Sequence, residues 1–530
     1  MTVSPTTLLS RRMFLASAAA VVVAACSDNS SGGEATDAPT TSAPSTSTTS
    51  TTLAPIDLPA DPFTLGVASG DPDAQSVVLW TRLAPLPLEG GGMPADDVPV
   101  VWEASATVDF GTIAASGQEI ATADSGHSVH AIATLAPGSW FYRFRAGQYI
   151  SPTGVTRPAP SGQVAELSFA AGSCQHYETG FYAAHRDIAE RAPDFMVWLG
   201  DYIYEGAGTD GADPAERVHL GPEPTTVEEY RNRYARYKSD VNLQAAHAAC
   251  PWFVIWDDHE VENNYASLTP QAVEEAAAFE ARRFAAYRAW WEHQPVRLPP
   301  PTAQDSEYRI YRDANWGDLL TVALLDGRQY RSDQACGDVT LSLEPPCPEA
   351  TDPNRTMLGE EQEQWLVDTL TTSTAHWKLV GNQVILANAA FNGAVLNYDM
   401  WDGYPVARER LLASLHIADV QNLVVITGDI HLAAVAQLHS EGAPVGVEFV
   451  TTSISSRGNI DPSFSDLLKS FPDLIDAELV HRGYTFHTVT PDQWTAEYRI
   501  VTDVTLPDSE VTTYASFVVE AGSNTVAIAQ

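Results

Sequence analysis

Lysine is nearly missing from this chain of 530 residues: only Lys238, Lys378 and Lys469 occur. Arginine does not make up the deficit, since 29 Lys+Arg stand against 68 Asp+Glu, a formal charge of −39 at pH 7. A surface of that sign repels phosphate backbones, which excludes a general DNA- or RNA-binding role. Cysteine is scarce too. Cys26, Cys174, Cys250, Cys336 and Cys347 are too few for a disulfide-stapled scaffold, so each is expected to have its own task. No internal repeat at a fixed period is present, and nothing in the middle of the chain looks membrane-spanning. What the chain does have is 44% hydrophobic residues. It is also longer than the roughly 250–300 residues at which one core stops growing, so more than one domain is expected. The acid surplus reads either as solubility in a salty or extracellular medium, which composition favours, or as carboxylates gathered to bind divalent cations.

The first 26 residues form an address. Ser10-Arg11-Arg12-Met13-Phe14-Leu15 precedes an apolar run that ends at Ala25. That run falls short of the about 20 residues a bilayer-crossing helix needs, and it fits the h-region of a signal peptide. The paired arginines resemble a twin-arginine signal, and Val23-Ala24-Ala25-Cys26 resembles a lipobox. The expectation is export in folded form, cleavage before Cys26 and acylation of its thiol. The product is then a membrane-anchored lipoprotein, or is released at the cell surface. Residues 27–60 are rich in Ser, Thr and Pro and cannot bury enough apolar surface to fold, so they are read as a disordered linker.

Two folded parts follow. Residues 61–164 carry short strand-like runs such as Ser76–Arg82, Pro99–Glu103 and Trp140–Arg145, which predict a small antiparallel β-sandwich domain. From about residue 165 to 530, buried strands alternate with helices. Leu167–Gly172, Phe195–Gly200, Trp252–Trp256, Leu319–Leu325, Trp377–Gly381 and Leu423–Thr427 read as strands. Phe181–Arg191 and Val273–His293 read as helices. This alternation predicts an α/β layered catalytic domain.

One local event recurs: an apolar strand ends and a potential metal ligand follows at once. Gly172-Ser173 gives Cys174, Gly200 gives Asp201, Trp256-Asp257 gives Asp258 and His259, and Gly428 gives Asp429 and His431. Ligands of open α/β sheets bind beyond the carboxyl ends of their strands. Asp429 and His431, two apart in an extended segment, point the same way. Cys336 and Cys347 close a Pro-rich loop for which a disulfide is expected.

Gly200-Asp201-Tyr202-Ile203-Tyr204-Glu205, Trp256-Asp257-Asp258-His259-Glu260, Gly381-Asn382-Gln383 and Gly428-Asp429-Ile430-His431 occur in this order, with Ser173-Cys174-Gln175 ahead of them. Together they resemble the PhoD-like alkaline phosphatases/phosphodiesterases of the metallophosphoesterase superfamily. The resemblance implies an αββα sandwich of two packed mixed sheets flanked by helices. It implies ferric iron (Fe3+) on Cys174, Tyr204 and His431, a bridging carboxylate at Asp201, and Asp258 and Asp429 as ligands of Ca2+ or another divalent ion. His259 falls where the superfamily keeps a phosphate-contacting, proton-donating histidine. The donor chemistry agrees, since thiolate, phenolate and imidazole suit iron while a purely carboxylate set suits a hard cation. The implied substrate is a phosphate ester, attacked by a metal-activated bridging hydroxide. Arg328 is a candidate phosphate contact, or else a structural partner of Asp326. His176 is read as a pocket-wall residue. The segment 397–404 either walls the site or forms a turn. Within the same family, a phospholipase D-like or teichoic-acid-directed phosphodiesterase is the alternative; from another class, a calcium-binding cell-surface adhesion protein. A monomer touching the membrane only through its lipid is expected.

Overall fold

The computed structural model describes Leu58 and residues 60–529, apart from 210, 211, 213, 272–275, 303–306, 340–343, 391, 392, 469, 470 and 472. The expected signal peptide, Cys26 and nearly all of the linker lie outside the described residues.

Four buried parallel strands, Leu167–Gly172, Phe195–Trp198, Pro251–Val254 and Val67–Gly70, run side by side at the centre of a ten-stranded sheet. Their side chains are buried on both faces, which is why they read as unbroken apolar runs instead of alternating ones. Antiparallel strands complete the sheet on each side. Arg482–Val489, Gln493–Val501, Val511–Glu520 and Val526–Ile528 lie beyond Leu167–Gly172, and Ser76–Arg82 and Ser128–Thr134 lie beyond Val67–Gly70. A second, seven-stranded sheet has Leu320–Leu324, Trp377–Gly381, Leu423–Thr427 and Ala443–Val450 as its parallel centre.

The two sheets pack face to face through aromatic rings. Phe195 of the first meets Trp316 of the second at 4.9 Å between ring centroids, and Trp494 meets Trp377 at 5.5 Å. Burying each such ring contributes on the order of 1.5–3 kcal/mol. Helices Val227–Lys238, Val241–Ala249 and Ala276–His293 share the first core through Tyr234, Leu243 and Trp290. Gly359–Thr372 and Pro405–Ile417 cover the far face of the second sheet through Leu366, Leu370, Leu411 and Leu415. The result is the expected helix–sheet–sheet–helix sandwich. The helix starts are encoded locally: Thr226 and Glu229 make a reciprocal capping box, and Asp240 caps the next helix.

The segment 61–164 also makes two antiparallel layers around its own core of Val77, Leu79, Val100, Tyr142 and Phe144. One layer is a separate five-stranded sheet built on Val98–Ser105 and Trp140–Ala146. The other layer belongs at the same time to the ten-stranded sheet, because Val67–Gly70 pairs in parallel with Pro251–Val254.

Candidate metal centre

The parallel strands of both sheets deliver their carboxyl ends to one place, and an isolated bridge between Ser173 and Ser453 joins the loops there. Sharp turns follow. Cys174, Asp201, Asp429 and His431 all hold left-handed φ values, 59°, 55°, 65° and 57°. A side chain rarely adopts that conformation without cost, on the order of 1–3 kcal/mol each, and such strain gathers at functional sites. Glycines permit the approach. A Cβ on Gly200 would lie 2.7 Å from the Asp257 amide, and one on Gly428 would lie 2.4 Å from the Ser173 hydroxyl.

The donors converge in three overlapping groups, in each of which the donor atoms lie within 4.8 Å of one another: Cys174 with Asp201 and His431, Asp201 with Asp258 and His259, and Asp257 with Asp258 and Asp429. Asp201 links the first two groups and Asp258 the last two. The Tyr204 hydroxyl donates to Asp201 Oδ2 at 2.8 Å and lies 3.0 Å from His431 Nε2, so the phenol belongs to the first group. Nδ1 of His431 faces the Arg457 carbonyl at 2.7 Å and Asn459 at 3.0 Å, which leaves Nε2 for the cluster.

The electrostatics ask for cations. Burial, with neighbouring acids, pushes the Asp201 and Asp429 carboxyls, the Cys174 thiol and the Tyr204 phenol well above their usual ranges. Burial also opposes ionisation of Asp258, but Arg328 and His259 outweigh it and hold that carboxyl below its usual range. Asp201 Oδ1 and Asp258 Oδ1 are buried and accept no hydrogen bond among the described residues. Metal ions bound there would supply the missing partners and the compensating charge together, so the residues present fit a metal centre.

His259 sits in the same cavity with Nδ1 2.6 Å from Glu205 Oε2 and its ring 4.1 Å from that of Tyr204. Burial lowers its basicity, yet Glu205, Asp258 and Asp201 overcome that and raise it well above the ordinary histidine value. Arg328 is elsewhere. Its guanidinium is fully buried, pairs with Asp257, grips Asp399 with two 2.8 Å hydrogen bonds and lies 3.6 Å from Asp258. It does not line the cavity. The expected phosphate contact is corrected accordingly: a side chain whose charge is spent on buried carboxylates organises the acidic cluster instead. Nor is Asp326 its ion-pair partner: from Arg328 that carboxylate accepts the backbone amide, and its other hydrogen bonds come from Gln329. His176 packs behind Tyr204 at 4.5 Å and does not line the cavity wall. The 397–404 segment does wall the cavity, through Asn397, Asp399, Met400 and Asp402. Cys336 and Cys347 form a disulfide, and Cys174 and Cys250 are free and buried.

Sequence reasoning missed Asp257, Glu205 and Asp399. Asp257 and Glu205 stood inside quoted motifs, Trp-Asp-Asp-His and Tyr-Ile-Tyr-Glu, next to residues that drew attention first. Asp399 lay in the 397–404 segment, but its pairing had no local signal, because Arg328 and Arg331 reach it from a distant loop.

The cavity, about 290 Å³, runs from these carboxylates into an apolar chamber lined by Leu396, Ile430, Leu432, Ala436, Phe471 and Ala477. Strand ends that gather a thiol, imidazoles and carboxylates into adjoining donor groups beside one cavity fit the class of metal-dependent hydrolases. Residues 169–498 match the family model of PhoD-like phosphatases, and residues 48–160 match that of their N-terminal domain. Alkaline phosphatase D of Bacillus subtilis (strain 168) is 45% identical over 475 residues, which span 86% of this chain and 80% of that protein. The solved structure of PhoD superposes with a TM-score of 0.85 at 42% identity, covering 90% of this chain and 93% of that one. The chain belongs to the PhoD-like phosphatase family. Neither that membership nor a buried thiol in the cluster supports the calcium-binding adhesion alternative.

Proposed function

We propose that this protein is an exported alkaline phosphatase/phosphodiesterase whose cluster holds ferric iron on Cys174, Tyr204 and His431. A calcium or other hard divalent ion sits on Asp258 and Asp429, and Asp201 is shared between the two. The observation that carries this reading is the membership of Asp201 in two adjoining donor groups, one of mixed thiol, imidazole and carboxylate and one without sulfur. Ions bound there would supply Lewis acidity toward phosphate oxygens and a water acidic enough to attack at neutral pH. The chain's own contribution is positional. Glu205 fixes the His259 ring through Nδ1, leaving Nε2 to give a proton to the departing alkoxide. Arg328 holds Asp257 and Asp399 at the cluster.

The apolar chamber favours a second reading of the substrate. A diester with a hydrophobic arm, such as a phospholipid, would place its phosphate at the carboxylates and its arm against Ile430 and Leu432. Export by the twin-arginine route, a lipid on Cys26 and a monomeric state are part of the proposal. They rest on the N-terminal sequence and on an acidic surface. Among the described residues no helix is long and apolar enough to cross a membrane. A division near residue 164 is supported by the gap between the matched stretches, 48–160 and 169–498.

The test is metal content by ICP-MS together with hydrolysis of p-nitrophenyl and bis-p-nitrophenyl phosphate on one sample. Iron near one equivalent, calcium, and activity lost on chelation are expected. Calcium without iron, and no turnover of either ester, would overturn the reading.

A further inference from the structure

The Cys336–Cys347 disulfide and the flanking Ala335 and Ala350 pack against Val395 and Tyr398, beside the 397–404 wall. Cys336 and Asp338 hold left-handed φ values of 58° and 52° there, a conformation that surrounding structure must enforce. Two polar side chains of the same stretch reach both sides of the metal cavity. Buried Gln334 donates to Asp399 Oδ1 at 2.6 Å and to the Asn264 carbonyl at 2.8 Å. Asp338 Oδ2 accepts from Asn264 Nδ2 at 3.1 Å and from Gln271 Nε2 at 2.8 Å.

Asn264 is the connection to the metal ligands. Its backbone amide donates to Asp258 Oδ2 at 2.7 Å, while Asp258 Oδ1 accepts no hydrogen bond among the described residues. On the other side Asp399 grips Arg328, which pairs with Asp257. The stretch 334–338 therefore connects through Asn264 to Asp258 on one side and through Asp399 to Arg328 and Asp257 on the other.

We infer that the stretch 334–338, anchored by the Cys336–Cys347 disulfide, is a clamp that, through the positioning residues Gln334 and Asp338, holds Asp258 and its neighbours in the geometry that binds the divalent cation. The inference rests on reading Asp258 and Asp429 as ligands of that cation. Groups that orient metal ligands typically contribute about 10–100-fold in metal affinity. The clamp acts on the carboxylate side alone, because Cys174, Tyr204 and His431 are held by other segments, Ser456, Arg457 and Asn459 among them.

The experiment titrates calcium chloride into the EGTA-treated full-length protein by calorimetry, with iron per chain and far-UV circular dichroism recorded on the same samples. The variants are Gln334→Met, which keeps the volume and removes both hydrogen bonds, and Cys336→Ser with Cys347→Ser. About a tenfold loss of calcium affinity in each, with iron content and dichroism unchanged, is expected. Unchanged calcium affinity in either variant overturns the clamp. Loss of iron together with calcium also overturns it, since that reports general loosening. If the wild-type protein takes up no calcium, the reading of Asp258 and Asp429 falls and the clamp with it. Wild-type uptake with indifferent variants removes the clamp alone.

Discussion

Glu205 and His259 are tied by a 2.6 Å hydrogen bond between Oε2 and Nδ1, and the other Glu205 oxygen accepts the Asn263 amide at 2.8 Å. The carboxylate thus fixes the ring and favours its charged form. Glu205→Gln keeps the shape and removes the charge. For an alkyl phosphate, whose leaving group needs a proton, kcat should fall about 100-fold, while p-nitrophenyl phosphate, with its stable leaving anion, should lose far less. Steady-state kinetics on both esters checks this. Equal losses on the two would remove His259 as the proton donor.

Chelation should lower the melting temperature as well as the activity. A metal that binds only the folded chain stabilises it by about 4 kcal/mol at a thousandfold excess over Kd. Asp201→Asn, which removes the carboxylate common to two donor groups, should be inactive and should melt at the same temperature with and without chelator. Differential scanning calorimetry makes the comparison.

Arg328→Ala should act on folding first. It strands Asp257 as a buried, unpaired charge and leaves Asp399 to Arg331 alone, which costs about 3–5 kcal/mol. Urea unfolding followed by fluorescence should show a lower midpoint. A normal midpoint with only a raised KM would restore the phosphate contact.

Glu448 gives a pH prediction for stability. It is buried, accepts the Leu386 and Ala387 amides and the Thr427 hydroxyl, and burial pushes its carboxyl up to about 7. Because the folded value lies above the ordinary one of 4.5, its stability contribution is complete below pH 4.5. That contribution is lost as pH rises through about 7, on the order of 3 kcal/mol in all. The melting temperature of the wild type should therefore drop relative to Glu448→Gln between pH 5 and pH 8. A constant difference would place the carboxyl at its ordinary value.

Filling the apolar chamber separates the two substrate readings. Ala477→Trp should raise KM for a long-chain phosphodiester at least several-fold and spare bis-p-nitrophenyl phosphate. Equal effects on both would mean that the chamber holds no part of the substrate.

The strand ends were legible in the sequence because each is an unbroken apolar run followed at once, in most cases after a Gly or Ser, by a ligand-type residue. That pattern is local, and it survived into the structure at Cys174, Asp201, Asp258 and Asp429. The alternation of these strands with helices made an α/β layered domain legible, while the two-sheet sandwich came with the family resemblance. What stayed hidden depends on partners far along the chain. Arg328 looked available because its sequence neighbours, Asp326 and Gln329, say nothing of Asp257 or Asp399. Glu205 looked like the tail of a motif until the fold brought His259 to it. The sharing of Val67–Gly70 with the catalytic sheet had no local signature either, since a strand's own residues do not name the strand beside it.

That shared strand dictates an order of assembly. Pro251–Val254, which leads into Asp257 and Asp258, is flanked by Phe195–Trp198 on one side and Val67–Gly70 on the other. Such pairings join remote points of the chain, so contact order is high and folding is correspondingly slow. A chain begun at residue 165 would leave Pro251–Val254 as a bare sheet edge, with open amides and carbonyls beside the ligand-bearing loop. Exposed edges of that kind recruit other chains. The smaller N-terminal part thereby serves as an edge protector for the catalytic sheet, and separating the two should yield aggregates in place of a working fragment.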